Sequence, residues 1–272
     1  MALEPFTQDI RGKVILLGTG TSVGVPTVGC GCAVCRSHDP RNKRTRCAAI
    51  WGLPTGNLLI DTPPDLRSQL VREGIGIVHA VLFTHAHADH IFGLDDLRMF
   101  PFFLGHAVPL YAEADVEQTI RRCFSYAFDG KPETHRGAVP KLEFHSINEL
   151  VPFEVLGTRI TPIRLHHGPR FRVLGFRIGT IAYCTDTNYI PDASWPLLEG
   201  LDVLILGALR RRPHATHFSL DQALEVVRAV KPRRTILTHV SHKLDYAATM
   251  AELPDGVELA YDGMQISLPA SD

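Results

Sequence analysis

Short apolar runs recur along the whole chain, and glycine, proline or aspartate bounds most of them. Such runs are typical of buried β-strands. Eleven runs are strand candidates, among them KVILLGTG near the N-terminus, AVLFTH in the first third and RTILTH near the C-terminus. Between them the pattern predicts helices over 64–73, 90–100, 114–128 and 219–230, the last with Ser219 as its N-cap. This mixture favours a layered α/β architecture in which helices cover a central pair of sheets.

The composition is that of an ordinary globular chain. Its 272 residues are 45% apolar and 21% charged, with 28 Lys and Arg against 29 Asp and Glu. This balance does not favour a nucleic-acid partner or an anionic membrane surface. No apolar run reaches the roughly 18–20 residues of a membrane helix, and the N-terminal segment lacks the apolar stretch of a signal peptide. We therefore expect a cytoplasmic protein with no membrane segment.

A cluster of potential metal ligands directly follows the apolar run AVLF. His85, His87, Asp89 and His90 lie within six residues, and an amphipathic helical pattern comes after them. Neutral imidazoles and a carboxylate suit Zn, Mn or Fe. A tight turn between strand and helix can direct these side chains into two groups. The sequence therefore predicts metal ligation here, and two ions are conceivable.

The pattern His-x-His-x-Asp-His at 85–90 resembles the metallo-β-lactamase superfamily, and the rest of the family pattern is met downstream. The resemblance implies an αββα sandwich, two β-sheets flanked by helices, as a single domain over 1–272. It assigns His85, His87 and His167 to one metal, Asp89, His90 and His239 to the other, and Asp186 as the bridge between them. Each of these residues follows an apolar, strand-like run. His166, which adjoins His167, is the alternative ligand.

Two further residues are candidates for the catalytic machinery. Asp61 ends the run NLLIDT, and in similar proteins an aspartate at this place holds a ligand imidazole and fixes its tautomer. A simple turn aspartate is the alternative. His217 stands just before a predicted helix, and in related phosphodiesterases and tRNA-processing endonucleases such a histidine serves as an acid or a phosphate donor. His214 is the alternative for this role.

A cysteine-rich knuckle lies at about 28–36, where Cys30, Cys32 and Cys35 have the spacing C-x-C-x2-C. Three thiolates need one more ligand to close a tetrahedral zinc site. His242 is the natural donor, since it follows His239 by three residues. Reduced cysteines that only fill space are the alternative.

The knuckle and the late motif L-T-H-x-S-H make the chain most similar to the phosphodiesterases of the carbon–phosphorus lyase pathway, which cleave cyclic ribose phosphates. This resemblance implies one structural Zn on Cys30, Cys32, Cys35 and His242, and a homodimer. A related group in pyrroloquinoline-quinone biosynthesis carries a similar knuckle. Its catalytic loop is typically degraded, whereas THAHADH is intact here.

The sequence thus predicts a metal-dependent hydrolase with a small phosphate ester, a cyclic ribose or nucleotide phosphate, as its substrate. Two divalent metals, Zn or Mn, that share Asp186 would lower the pKa of a common water. The same chemistry suits carbonyl esters, thioesters and lactams. A tRNA 3′-end endonuclease and a non-catalytic accessory protein are further alternatives. The endonucleases usually need a basic, Gly-rich arm that is not evident here, and the basic runs at 41–46 and 210–212 are typical of solvated surface.

Overall fold

The computed structural model describes residues 4–268, which form fourteen strands and seven α-helices. The strands are β1 (Lys13–Gly18), β2 (Ala48–Leu53), β3 (Gly56–Ile60), β4 (Ala80–Leu82), β5 (Val108–Ala112), β6 (Leu142–Ser146), β7 (Phe153–Val155), β8 (Thr158–His167), β9 (Phe171–Ile178), β10 (Ile181–Cys184), β11 (Val203–Gly207), β12 (Arg234–Thr238), β13 (Val257–Leu259) and β14 (Met264–Ser267). The helices are α1 (Ala33–Arg36), α2 (Leu66–Arg72), α3 (Ala88–Ile91), α4 (Phe100–Leu104), α5 (Ala114–Cys123), α6 (Leu220–Val230) and α7 (Tyr246–Met250). Short 3₁₀ helices lie at Pro40–Asn42, Leu94–Met99, Ser125–Ala127 and Asp192–Leu198. The ends of the predicted domain, 1–3 and 269–272, lie outside the described residues.

The strands form two seven-stranded sheets that share one plan. Their orders are β14-β1-β2-β3-β4-β5-β6 and β13-β12-β11-β10-β9-β8-β7. The strands from β3 to β6 are parallel in the first sheet, as are those from β10 to β13 in the second. Helices α2 to α5 pack on the first sheet, and α6 and α7 pack on the second. The predicted αββα sandwich is confirmed.

Each sheet buries both of its faces. In β1, Val14 and Leu16 face the core between the sheets, while Ile15 and Leu17 face the core under the helices. Because side chains along a strand alternate between its faces, a strand covered on both sides must be apolar throughout. This is why continuous apolar runs mark the central strands in the sequence.

The carboxyl ends of the parallel strands lie together at one edge of the sandwich. Ile60 at the end of β3 pairs with Leu82 at the end of β4, and Gly207 of β11 pairs with Thr238 of β12. The backbone N–H of Leu174 in β9 donates to the Thr84 carbonyl at 3.0 Å, which joins the second sheet to the segment after β4. Ligand sites of α/β proteins commonly lie at such an edge.

The structure departs from the predicted elements in a few places. All eleven predicted strands are present, and β6, β7 and β14 were not predicted. The helix predicted over 90–100 is divided into α3, a 3₁₀ helix and α4. The reason is that the N–H of Gly93 donates to the Thr62 carbonyl at 2.8 Å instead of continuing a helix. Within 4–268, no helix combines the length and the apolar character needed to cross a membrane.

Candidate metal centre

The first group of predicted ligands gathers where the loop after β4 meets the end of β8. Donor nitrogens of His85, His87 and His167 lie within 4.8 Å of one another. The ring centroids of His87 and His167 are 5.0 Å apart, and those of His85 and His87 are 4.5 Å apart. The ring of His166 lies instead against Tyr189, at 5.4 Å. The structure therefore places His167, and not His166, in this group.

The second group surrounds Asp186, which follows β10. The Nε2 atom of His90 lies 3.5 Å from Asp186 Oδ1 and 3.4 Å from Asp89 Oδ2. His239, directly after β12, places its Nδ1 atom 3.0 Å from the same Asp186 oxygen without hydrogen-bond geometry. Donor atoms of His85, His90 and Asp186 also lie within 4.8 Å of one another. Asp186 thus lies near donor atoms of both groups.

Asp61 and Thr84 set the tautomers of two imidazoles. One oxygen of Asp61 accepts hydrogen bonds from His90 Nδ1 at 2.7 Å and from the Thr84 hydroxyl at 2.8 Å. Because the Thr84 hydroxyl gives its only proton to Asp61, it must accept from His85 Nδ1, 2.9 Å away. His167 Nδ1 likewise donates to the Thr216 carbonyl at 2.8 Å. All three rings therefore carry a proton on Nδ1 and direct Nε2 into the centre.

The donor atoms fit divalent cations. Among the described residues, the buried Nε2 atoms of His85 and His90 and the buried Nδ1 atom of His239 have no hydrogen-bond partner. Buried polar atoms without a partner are rare in proteins and require an explanation. A set of imidazole nitrogens and carboxylate oxygens that converge in this way provides the ligands that Zn and Mn accept.

The pKa values of these groups match that role. Burial lowers the pKa of His85 well below its ordinary value and also lowers the pKa of His239. Burial opposes the ionisation of Asp186, but the imidazoles of His239 and His90 outweigh it and hold the Asp186 pKa well below its usual range. Burial also opposes protonation of His90, and the carboxylates of Asp186 and Asp61 overcome it, so the His90 pKa is raised. A cation that binds here would displace that proton.

Three of these residues have backbone conformations that non-glycine residues seldom adopt. Asp61, Asp186 and His239 have φ angles of 63°, 47° and 57°. Each lies directly after a central strand or one residue beyond it. Such conformations cost about 1–3 kcal/mol each and are concentrated at functional sites. Here they turn the chain so that the Asp186 and His239 side chains enter the centre and the Asp61 carboxylate reaches the Nδ1 atom of His90.

His217 lies beside both groups of ligands. It belongs to the loop before α6, which Ser219 begins with a capping box. The His217 ring is 4.5 Å from that of His167 and stacks on that of His239 at 4.7 Å. Its donor nitrogen also lies within 4.8 Å of a ring nitrogen of His167 and a carboxylate oxygen of Asp186. His214 is one ring further out, 5.2 Å from His217.

Asn188 connects the loops that carry these histidines. Its Oδ1 atom accepts from the Gly168 N–H at 2.7 Å, and its Nδ2 atom donates to the Ala215 carbonyl at 3.1 Å. Sequence reasoning missed Asn188, Thr84 and Thr216. Only Thr84 carried a signal, its place directly before the ligand motif. The roles of the other two depend on loops that meet only in the folded chain.

The four predicted knuckle residues also come together. The sulfur atoms of Cys30, Cys32 and Cys35 lie 3.1, 3.6 and 3.4 Å from His242 Nδ1, and all four donor atoms are within 4.8 Å of one another. The Cys35 N–H donates to the Cys32 sulfur at 3.5 Å, and the Thr27 N–H donates to the Cys35 sulfur at 3.4 Å. Three thiols and one imidazole, supported by N–H donors, fit a closed structural zinc site.

Known proteins share the fold of this chain. A family model described as "Beta-lactamase superfamily domain" matches residues 56–240. The crystal structure of a new diphosphatase from the PhnP family is 41% identical, with a TM-score of 0.87 over 93% of this chain and 96% of that one. The chain belongs to the PhnP family of the metallo-β-lactamase superfamily. The fold and the convergent ligand groups support a metal-dependent hydrolase that binds divalent metal.

Two other relatives of this PhnP-family chain are informative. An octanoyltransferase of Porphyromonas gingivalis is 37% identical over 256 residues. The match covers 93% of this chain and 51% of that protein, so the chain spans about half the length of this relative. Zn²⁺-bound PqqB from Methylobacterium extorquens is 20% identical with a TM-score of 0.71, over 94% of this chain and 100% of that one. The PqqB likeness shows the shared fold alone.

The knuckle of this PhnP-family protein can be tested with Cys32→Ser. We expect loss of one chelation-resistant Zn and a decrease of at least about 2 kcal/mol in the free energy of unfolding, or roughly 4–8 °C in Tm, because a structural metal couples its affinity to folding. The kcat per folded molecule should change much less. Metal analysis after mild chelation and thermal unfolding provide the measurement. Cys123→Ser, at an exposed free cysteine, is the control, and a tightly held Zn that survives in Cys32→Ser would contradict the assignment.

Proposed function

We propose that the chain is a dinuclear-metal phosphodiesterase that acts on a small phosphate ester, a cyclic ribose phosphate or a nucleotide. The observation that carries this proposal is the position of His217, whose ring contacts His167 of one ligand group and His239 of the other. A hydrogen-bond donor in that position can reach an oxygen of a phosphoryl group held at the centre. The likeness to a PhnP-family diphosphatase supports phosphorus as the electrophile.

The ligand groups suit two divalent cations, Zn or Mn. His85, His87 and His167 would hold one cation, Asp89, His90 and His239 would hold the other, and Asp186 would contact both. When bound, these cations supply a water that ionises near neutral pH, and they compensate the negative charge that develops on the phosphoryl oxygens.

The role of His217 follows from its surroundings. Burial and the nearby imidazole of His239 lower the pKa of His217 to about 3. The ring is therefore neutral at pH 7 and donates one N–H to a phosphoryl oxygen. A bound phosphate anion raises this pKa, since an opposite charge favours the imidazolium. A His217 imidazolium, favoured by the substrate anion and disfavoured by the two cations, can protonate the departing alkoxide.

An acyl ester or thioester hydrolase is the second candidate. Its support is the octanoyltransferase of Porphyromonas gingivalis, whose name refers to an acyl substrate. That name describes a protein about twice as long as the matched segment. A neutral carbonyl substrate also has no anionic charge that could raise the pKa of His217. The surroundings of His217 therefore favour a phosphodiester over a carbonyl substrate.

One pair of chromogenic esters separates the two candidates. The protein loaded with Mn²⁺ or Zn²⁺ is assayed with bis(p-nitrophenyl) phosphate and with p-nitrophenyl octanoate, which release the same phenolate. We expect hydrolysis of the phosphodiester and no hydrolysis of the octanoate above the rate of an Asp186→Asn control. A cyclic ribose phosphate and a nucleoside diphosphate then define the substrate class. Turnover of the octanoate without turnover of any phosphate ester would reverse the assignment.

A further inference from the structure

Phe171 is a half-exposed aromatic residue at the edge of the metal centre. It begins β9 and pairs directly with His167, the last residue of β8, so the strand register fixes its position. Its ring centroid lies 4.6 Å from that of His87 and 6.2 Å from that of His167. The side chain remains 47% exposed. A rigid apolar ring is thus presented to solvent beside two imidazoles of the first ligand group.

Packing in the fold does not account for this ring. Neighbouring Val173 and Leu174 join the hydrophobic cores, whereas the contacts of Phe171 are with polar imidazoles. An aromatic ring gains most when its face is covered, and ligand sites are commonly lined by aromatic side chains around a few polar groups. The uncovered part of Phe171 is therefore suited to a ligand that is already held at the metal centre.

The order of the ring contacts indicates how that ligand is oriented in the site. Phe171 contacts His87 and His167, whereas His217 contacts His167 and stacks on His239. Phe171 and His217 thus occupy different positions in one series of rings, with His167 between them. In the proposed function His217 serves the departing oxygen. The substituent near Phe171 is then the one that stays on phosphorus.

We propose that Phe171 forms the wall of a subsite for the retained group of the substrate, and that this group is a ring joined to phosphorus through the ester oxygen that is not cleaved, such as a ribosyl or aryl ring. Because Phe171 touches the imidazoles themselves, only atoms close to the phosphoryl group can reach it. The assignment of the retained side rests on the proposed function. A ring face stacked on an aromatic side chain contributes enough to select ring-bearing esters over short alkyl esters.

Binding of two phosphonates tests the subsite without turnover. Calorimetry on the Mn²⁺-loaded protein compares phenylphosphonate with methylphosphonate, which differ only in the one organic group on phosphorus and have no group that can depart. We expect the wild type to prefer the phenyl compound by roughly 5- to 100-fold, the range of base stacking on aromatic side chains. Phe171→Leu should lose most of that preference, and Phe171→Tyr should keep it. Phe6→Leu, at an aromatic residue that is 88% exposed, is the control for a general surface effect.

Kinetics then test whether the retained group of the substrate is the group that lies against Phe171. Bis(p-nitrophenyl) phosphate and methyl p-nitrophenyl phosphate share a leaving group and differ in the retained group, so the ratio of their kcat/KM values should fall in Phe171→Leu. Equal binding of the two phosphonates by the wild type, or binding of neither, would overturn the subsite. A phenyl preference that depends on Phe171, found without hydrolysis of any phosphodiester, would uphold the subsite and reject the proposed function.

Discussion

Asp186→Asn is expected to lower kcat by more than about 10³-fold, a larger loss than the roughly 10²–10³-fold that follows removal of one transition-state contact. Asp186 lies 3.0 Å from His239 Nδ1 and 3.5 Å from His90 Nε2 of the second ligand group. Its donor atom also lies within 4.8 Å of donor atoms of His85 and His167 in the first group. The amide keeps the shape of the side chain and removes its charge. One or both catalytic metal equivalents should be lost with that charge. Metal analysis and the phosphodiester assay measure the two effects on the same sample.

Asparagine is the right replacement because of the backbone at this position. The φ angle of Asp186 is 47°, a conformation that Asp and Asn adopt far more readily than alanine. Asp186→Ala would mix lost ligation with backbone strain. Asp192→Asn, at an exposed carboxylate six residues later, is the matched control and should retain full activity and metal. Full activity in Asp186→Asn with both catalytic equivalents bound would show that this carboxylate does not join the two sites.

How much of the fold could be predicted from the sequence depended on how deeply each strand is buried. The three strands that were not predicted, β6, β7 and β14, are all edge strands. An edge strand is short or carries polar side chains, because a long apolar edge would pair with other chains. In β6 only two of five residues, Leu142 and Phe144, are apolar and partly buried. The apolar run that marks a central strand is absent there.

The ligands were predictable as residues, whereas their geometry was not. Imidazoles and a carboxylate after apolar runs were sufficient to suggest a centre at the strand ends. The choice between His166 and His167 needed the position of the chain at the end of β8, because neighbouring residues of a strand face opposite sides. The tautomers needed the hydrogen bonds of Thr84 and Asp61, which join segments 23 residues apart.

Loops that meet only after folding were beyond prediction. Asn188 joins Gly168 to Ala215, and no periodicity or spacing relates those three positions. Phe171 reaches His87 only because β8 and β9 pair with His167 opposite Phe171. In the sequence GPRFRV the phenylalanine resembles any strand residue, and the hairpin register alone makes it part of the site.

His217→Ala is expected to slow the hydrolysis of an alkyl or ribosyl ester by roughly 10²–10⁴-fold, the usual scale of general acid–base catalysis. An activated nitrophenyl ester should lose much less, since its phenolate leaves without a proton. Steady-state kinetics with two diesters that share a retained group and differ in the leaving group measure the contrast. His214→Ala is the matched control, because His214 lies one ring further from the centre.

The pH dependence distinguishes an acid from a simple hydrogen-bond donor at His217. In the free protein its pKa is lowered to about 3 by burial and by the imidazole of His239, and a bound phosphate raises it. If the imidazolium protonates the leaving group, kcat for an alkyl ester should fall as the pH rises through the pKa of the complex, and His217→Ala should lack that limb. If His217 only donates to a phosphoryl oxygen, both esters should lose rate about equally.

His217 also lies within 4.8 Å of the donor atoms of His167 and Asp186, so loss of a metal equivalent from His217→Ala would instead make it a ligand. Unchanged rates on both esters would exclude all three roles.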